Sequence, residues 1–418
     1  MGTVLRNVRS VLDPERNISI RFTEDRIAEI GSPAEYGEPE RYVFPGFVNA
    51  HTHLPMVLFR GLAEDVPLKT WLEESIWPVE MKLSPEDVYW CALLACANAI
   101  RSGTTCVVDM YFHVDEIARA IDESGLRALL SYGMIAERLD EKGKSELAKT
   151  RQLVERLAGT ADGRIRMAVA PHTLYTVSED VWREAIALAV GLDLPMHTHV
   201  SETRSEVDAW RERTGESPVQ TLERLGALER PMLAAHCVHT DEADLEILGA
   251  HDIVVGHCPK SNAKLGSGIA PIRSMLDKGI CVGLGTDGAG SNNRLDMFEE
   301  LRAAWIAQCA TNEDPGALSR HEVLEMAIRA PRKWLGFPSG RFDVGEQADI
   351  VVVDPSLSDI WPPHDPASTL AYAATAASVT DVYVAGRPLM KDGELLTIDE
   401  ERVQSEVERV LKRHVETK

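Results

Sequence analysis

Pro45-Gly46-Phe47-Val48-Asn49-Ala50-His51-Thr52-His53 is an apolar run that ends in two histidines one residue apart. On a β-strand residues i and i+2 share a face, so His51 and His53 can offer ring nitrogens to one metal ion. A lone His-x-His is weak evidence, because two polar residues at a strand end are common. Here the feature recurs. Leu194-Pro195-Met196-His197-Thr198-His199-Val200 closes a second apolar segment with His197 and His199. A third, Met232-Leu233-Ala234-Ala235-His236-Cys237, closes with His236, and a fourth, Val282-Gly283-Leu284-Gly285-Thr286-Asp287-Gly288, with Asp287. Four segments deliver a His or Asp at the same end.

Between Phe44 and Asp287, short β-branched runs alternate with helical spacing, which is the pattern of repeated βα units on a parallel sheet. Eight strands are expected near residues 43–51, 104–109, 127–134, 165–172, 194–200, 232–237, 253–257 and 280–287. Helical segments such as Pro85 to Arg101, Val114 to Ser124 and Ser178 to Val190 lie between them. Eight such repeats predict an α/β fold, a (β/α)8 TIM-like barrel over 43–342, whose reactive residues sit where strands end and loops begin. His113, His239 and His251 are read as capping or exposed residues instead. Short runs at Val4-Leu5, Ile18 to Phe22 and Arg26 to Ile30, with Ala348 to Asp354 and Val382 to Pro388 from the far end, predict a small β-sandwich domain from 1–42 plus 343–418. Ile398 to Lys418 reads as a charged amphipathic helix closing that domain.

With 418 residues the chain has room for a barrel of ~250 residues and more. Its 66 acidic against 44 basic side chains give a net charge of −22, which argues against a nucleic-acid backbone or an anionic membrane as partner. No apolar run reaches spanning length and the N-terminus lacks a basic stretch followed by an apolar one, so a cytoplasmic protein is expected. Seven scattered cysteines without CxxC pairs read as free thiols.

Zinc held by three or four N/O ligands lowers the pKa of a bound water towards neutrality. His51, His53, His199 and Asp287 suit such a site, but His197 shares a strand face with His199 and spacing alone does not choose between them. Glu202 stands three residues beyond His199, past the strand end, where a carboxyl can approach a substrate without binding the metal and donate a proton. Asp287 has a second possible task, accepting the proton lost by an attacking water.

These residues stand in a sequence that resembles the amidohydrolase superfamily, and within it the deaminases of 5′-methylthioadenosine and S-adenosylhomocysteine, over nearly its whole length. The matching segments are Pro45–Met56, Arg60–Asp65, Asp109–His113, Ala235–His239, Leu265–Pro271 and Gly283–Asn293. The resemblance implies a single divalent metal, Zn2+ first and Fe2+, Mn2+ or Ni2+ as alternatives, on His51, His53, His199 and Asp287, with His197 not a ligand. It implies that Glu202 protonates the purine ring nitrogen N1, that His236 holds the attacking hydroxide, and that Asp287 carries the proton to the leaving amino group. Glu80 resembles the glutamate that accepts hydrogen bonds from both ribose hydroxyls, and His172, standing where binuclear relatives place a carboxylated lysine, resembles a histidine that contacts the nucleoside. The expected partner is a small nucleoside, and a homo-oligomer is expected.

One departure from the family pattern bears on specificity. Tyr132 occupies the position expected for an arginine that grips the homocysteine carboxylate, and a neutral phenol cannot replace a guanidinium–carboxylate pair. Arg138 or Lys144 in the following loop are the candidates to compensate. Two alternatives remain. The same barrel serves deamination or dechlorination of other nitrogen heterocycles, such as guanine, a cytosine-like ring or an s-triazine. A non-catalytic barrel used as a binding module is the other, although such a protein loses metal ligands or the acid, and here each is present.

Overall fold

A computed structural model describes residues 2–32 and 40–415. Residues 33–39 of the expected small domain and 416–418 of the expected last helix lie outside the described residues. Four strands, β1 (Thr3–Ser10), β2 (Asp13–Thr23), β3 (Arg26–Gly31) and β4 (Arg41–Phe44), precede the barrel. The barrel strands are β5 (Phe47–Thr52), β6 (Thr104–Tyr111), β7 (Arg127–Met134), β8 (Ile165–Pro171), β9 (Met196–Val200), β10 (Met232–His236), β11 (Ile253–His257) and β12 (Cys281–Leu284). They pair in chain order and in parallel. Every residue of β6 and β7 is buried, because helices cover the outer face while side chains fill the inner one. That is why these strands read as apolar runs.

β12 returns to β5, where the Asp287 N–H donates to the His51 carbonyl at 2.9 Å. Beside it Asn49 accepts from the Thr286 N–H at 2.9 Å and donates to the Thr286 hydroxyl at 2.7 Å. The approach is close enough that a Cβ on Gly285 would stand 2.7 Å from the His51 nitrogen, so glycine is required there. Inside the barrel Val48, Val108, Leu129, Ala168 and Leu233 form a floor with Leu335 and Phe337. Strict alternation would turn Val48 and His51 to opposite faces. The register shift between Asn49 and Thr52 adds a residue, so that Val48 joins the floor and His51 also points inward above it.

The remaining strands, β13 (Ile350–Val353), β14 (Val379–Val384), β15 (Arg387–Lys391) and β16 (Glu394–Leu395), join the first four in one mixed sheet of order β16-β15-β14-β13-β4-β1-β2-β3. β14 and β2 are separated by three strands, yet the rings of Phe22 and Tyr383 lie 5.1 Å apart. At roughly 4.8 Å per strand that contact requires the sheet to curl over on itself. Val8, Ile20, Phe22, Val43 and Ile350 meet in the resulting core.

The strand expected over 43–51 is two strands. Tyr42 and Val43 pair with β1 and β13, and the chain passes into the barrel only after Pro45 and Gly46, whose φ of 85° suits glycine. An apolar run that crosses from one core to another shows no break in hydropathy. The last barrel strand is shorter than expected, ending at Leu284, so Asp287 projects from the loop beyond it. Between barrel and sheet, Asp349 accepts from Arg127 at 2.8 Å and from Arg332 at 2.9 Å, all three buried. Burial opposes its ionisation, but the two guanidiniums prevail and hold the Asp349 pKa at about 2. The helix Glu400–His414 lays Val403, Val407 and Val410 inward and packs against the helix Pro85–Arg101. Among the described residues no helix is long and apolar enough to cross a membrane. All seven cysteines are free, five of them buried.

Candidate active site

The strand ends and the loops beyond them bring two overlapping sets of groups together above the barrel floor: ligand atoms of His51, His53 and His199 lie within 4.8 Å of one another, and so do those of His51, His236 and Asp287. Asp287 Oδ1 lies 3.3 Å from His53 Nε2 and 3.6 Å from His51 Nε2, and His199 Nε2 lies 3.3 Å from His53 Nε2. Ligands about 2.0–2.1 Å from one tetrahedral ion stand about 3.4 Å apart, so these separations suit zinc. The buried His51 Nε2 has no hydrogen-bond partner, an arrangement that is costly unless something else occupies that lone pair. Each ring is fixed through its other nitrogen. His53 Nδ1 lies 2.5 Å from the Met110 carbonyl, His199 Nδ1 2.9 Å from the His172 carbonyl, and His51 Nδ1 2.9 Å from His197 Nε2. Burial holds His51 and His199 well below the ordinary imidazole pKa, in the neutral form that binds metals.

Both nitrogens of His197 are engaged, Nδ1 lying 3.0 Å from the Ser131 hydroxyl and Nε2 2.9 Å from His51, so this ring has no nitrogen left for the meeting point. Asp287 turns its other oxygen to two hydroxyls, Ser261 at 2.6 Å and Ser291 at 2.8 Å. Burial raises its pKa, but the nearby His53 and His236 and these hydrogen bonds outweigh that and keep it below the usual carboxylate value. Ser201, His236, Cys237 and Asp287 all have positive φ, at 51°, 73°, 47° and 60°. Strain of that kind costs about 1–3 kcal/mol per residue and persists where the surroundings over-determine the backbone, as at these strand ends.

Glu202 lies beside the cluster, Oε2 3.7 Å from His236 Nε2. Burial, with the Asp287 charge second, pushes its pKa up to about 8. The Glu202 N–H donates to Glu206 at 2.9 Å, and Thr203 with Glu206 forms the capping box that starts the helix Arg204–Thr214. His236 is steadied by Asn262, 2.9 Å from its Nδ1. Glu80 accepts from the Tyr111 hydroxyl at 2.6 Å; burial raises its pKa and this bond partly offsets the rise. His172 is held below its ordinary value, at about 3, chiefly by burial.

One cavity of about 80 Å³ is lined by His53, Glu80, His172, His199, Glu202, His236 and Asp287, with Trp71, Trp77 and Phe112 as apolar walls. Through Leu68, Leu72, Trp77 and Tyr175 it adjoins an outer groove of about 910 Å³. Small-molecule pockets usually measure about 300–1,000 Å³, so the two spaces together, rather than the inner one alone, have room for a nucleoside.

Tyr132 does not face this cavity. On β7 Ser131 points into the barrel, so Tyr132 turns outward by alternation, donates to Glu146 at 2.9 Å and packs its ring 6.3 Å from Phe112, which does line the cavity. Arg138 and Lys144 are exposed and do not line it either. His113, His239 and His251 also lie away from it. Ser131, Ser261, Ser291, Asn262 and Tyr111 went unnoticed in the sequence. Ser261, Asn262 and Ser291 follow barrel strand ends, which is the signal that would have found them.

Residues 42–389 match the amidohydrolase family. The chain belongs to that family. It is 42% identical over 395 residues, covering 93% of this chain and 92% of the relative, to a 5′-deoxyadenosine deaminase of Methanothermobacter thermautotrophicus. With a 5-methylthioadenosine/S-adenosylhomocysteine deaminase of Thermoanaerobacter pseudethanolicus it shares 45% identity over 367 residues, 87% of this chain and 85% of the other. Among solved structures, a zinc-bound adenosine deaminase from Xanthomonas campestris superposes with a TM-score of 0.90 at 33% identity, over 97% of both chains.

Proposed function

We propose that this protein hydrolyses the 6-amino group of an adenosine derivative, 5′-methylthioadenosine, S-adenosylhomocysteine, 5′-deoxyadenosine or adenosine, to give the inosine derivative and ammonia. The observation that carries the reading is that a single cavity is lined by His53, His199 and Asp287, which meet the buried His51, and by Glu202, His236 and Glu80. The three relatives named above support the substrate class. One divalent ion, zinc before Fe2+, Mn2+ or Ni2+, would be held by the three Nε2 atoms and Asp287 Oδ1. When bound, such an ion supplies a water activated near neutral pH.

The side chains do the rest. His236 orients the attacking water towards C6, and Asp287 accepts its proton. Glu202 gives a proton to N1, so that the ring takes up the electron pair as the C6–O bond forms. Asp287 then delivers its proton to the amino group, the C6–N bond breaks and ammonia leaves with the bonding pair, while the C6 hydroxyl gives up its remaining proton as the product carbonyl forms, a proton that restores Glu202. Glu80 keeps one oxygen free of Tyr111 for the ribose hydroxyls, and His172 lies against the nucleoside. The substitution Glu80→Ala tests the assignment: kcat/KM for nucleosides should fall while that for free bases stays low and unchanged, whereas unchanged nucleoside turnover would contradict it. We further place the protein in the cytoplasm as a homo-oligomer without a nucleic-acid partner; the free cysteines and acidic charge support the compartment and the last point, and light scattering checks the assembly.

A further inference from the structure

Four buried groups run in line beneath the cluster, each 1% exposed or less: Asp109, Ser131, His197 and His51. The Ser131 hydroxyl lies 2.9 Å from the Asp109 carbonyl oxygen, His197 Nδ1 lies 3.0 Å from the Ser131 oxygen, and His51 Nδ1 lies 2.9 Å from His197 Nε2. A carbonyl can only accept, and a serine hydroxyl has one hydrogen to give. Ser131 therefore donates to Asp109 and must accept from His197. That puts the His197 proton on Nδ1 and leaves Nε2 as an acceptor. His51 then donates from its own Nδ1, and its unpartnered Nε2 is left with a bare lone pair aimed at the meeting point.

We propose that His197, oriented by Ser131, is a positioning residue that fixes the tautomer of His51 and keeps its Nε2 ready for the metal. The second histidine pair of the sequence is thereby divided: His199 points to the cluster and His197 directs one of its members. The inference rests on the reading of His51 as a metal ligand. Reversing the chain would place a proton on His51 Nε2, which blocks coordination. Partners of this kind typically change metal affinity 10- to 100-fold.

The test follows zinc transfer from the loaded protein to excess chelator. His197→Phe, which keeps the ring but not the acceptor, should release zinc 10- to 100-fold faster than the parent. Ser131→Ala should shift the rate in the same direction, and Ser131→Thr should return it to the parent value. Parent-like rates in both His197→Phe and Ser131→Ala overturn the proposal, as does a faster rate in Ser131→Ala that Ser131→Thr fails to correct. His51→Ala separates the two levels, because zinc retained there with parent affinity refutes the ligand assignment itself. Nitrogen-15 spectra of the unaltered, metal-depleted protein give a readout independent of folding in the variants: protons on Nδ1 of both His51 and His197 are expected, and a proton on His51 Nε2 overturns the proposal.

Discussion

Replacing Glu202 by glutamine should remove most turnover while leaving fold and metal in place. The carboxyl is 7% exposed with a pKa pushed up to about 8, so about nine-tenths of molecules carry the proton at pH 7. An ordinary glutamate, with a pKa of about 4.5, would be protonated in only about 3 per thousand. Burial, with the Asp287 charge second, thus enlarges the protonated population by roughly two orders of magnitude, which the proposed transfer to N1 requires. Glutamine keeps the shape but has no proton to transfer, and a positioned general acid contributes roughly 10²–10⁴ in rate. Turnover of 5′-deoxyadenosine, followed by ammonia release across a pH series, should fall by that factor in Glu202→Gln. The parent should also lose activity as pH rises through about 8, because the acid is then ionised, and the variant should lack that limb. Turnover within a few-fold of the parent, or the same alkaline limb in both proteins, would refute the reasoning.

Other expectations follow from the same geometry. Among the described residues lining the inner cavity there is no lysine or arginine, whereas the outer groove carries Lys69, Arg204 and Arg213, so a cation for a homocysteine carboxylate, contributing ~1.5–3 kcal/mol, has to come from the groove. Arg204→Ala should lower kcat/KM for S-adenosylhomocysteine by about one to two powers of ten while leaving that for 5′-deoxyadenosine unchanged; an equal change for both substrates would contradict it. His199→Ala should leave well below one metal per chain by elemental analysis and no measurable turnover, and full metal content would contradict the ligand set. Asp349→Asn should cost about 3–5 kcal/mol in denaturant unfolding at pH 7, since it strands Arg127 and Arg332 in a buried setting. Because the Asp349 pKa is depressed, its contribution is present above the ordinary carboxylate range and fades as pH falls towards about 2; a pH-independent difference between parent and variant would refute it.

The barrel was legible because parallel strands buried on both faces leave continuous apolar runs, and because catalytic side chains of such a fold collect at strand ends. What escaped depended on contacts between distant segments. Nothing in Arg41 to Thr52 shows that Tyr42 pairs with β1 while Val48 pairs with β6, since both halves are equally apolar. His197 and His199 share a strand face, and only their partners separate them: His197 is held at both nitrogens by Ser131 and His51, while His199 turns Nε2 to His53. Tyr132 holds a position expected to face the substrate, but the inward turn of Ser131 towards His197 sends its side chain the other way. The hydroxyls of Ser261 and Ser291 acquire meaning only once the loops after β11 and β12 meet at Asp287.

The most direct measurement is a substrate panel on zinc-loaded protein, with ammonia and product measured together for adenosine, 5′-deoxyadenosine, 5′-methylthioadenosine, S-adenosylhomocysteine and guanine. At least one adenosine derivative should yield one ammonia per inosine product, at a kcat/KM well above that for guanine, and removing the metal should abolish it. Protein carrying one zinc per chain that deaminates none of the four adenosine derivatives, or prefers guanine, would contradict the account.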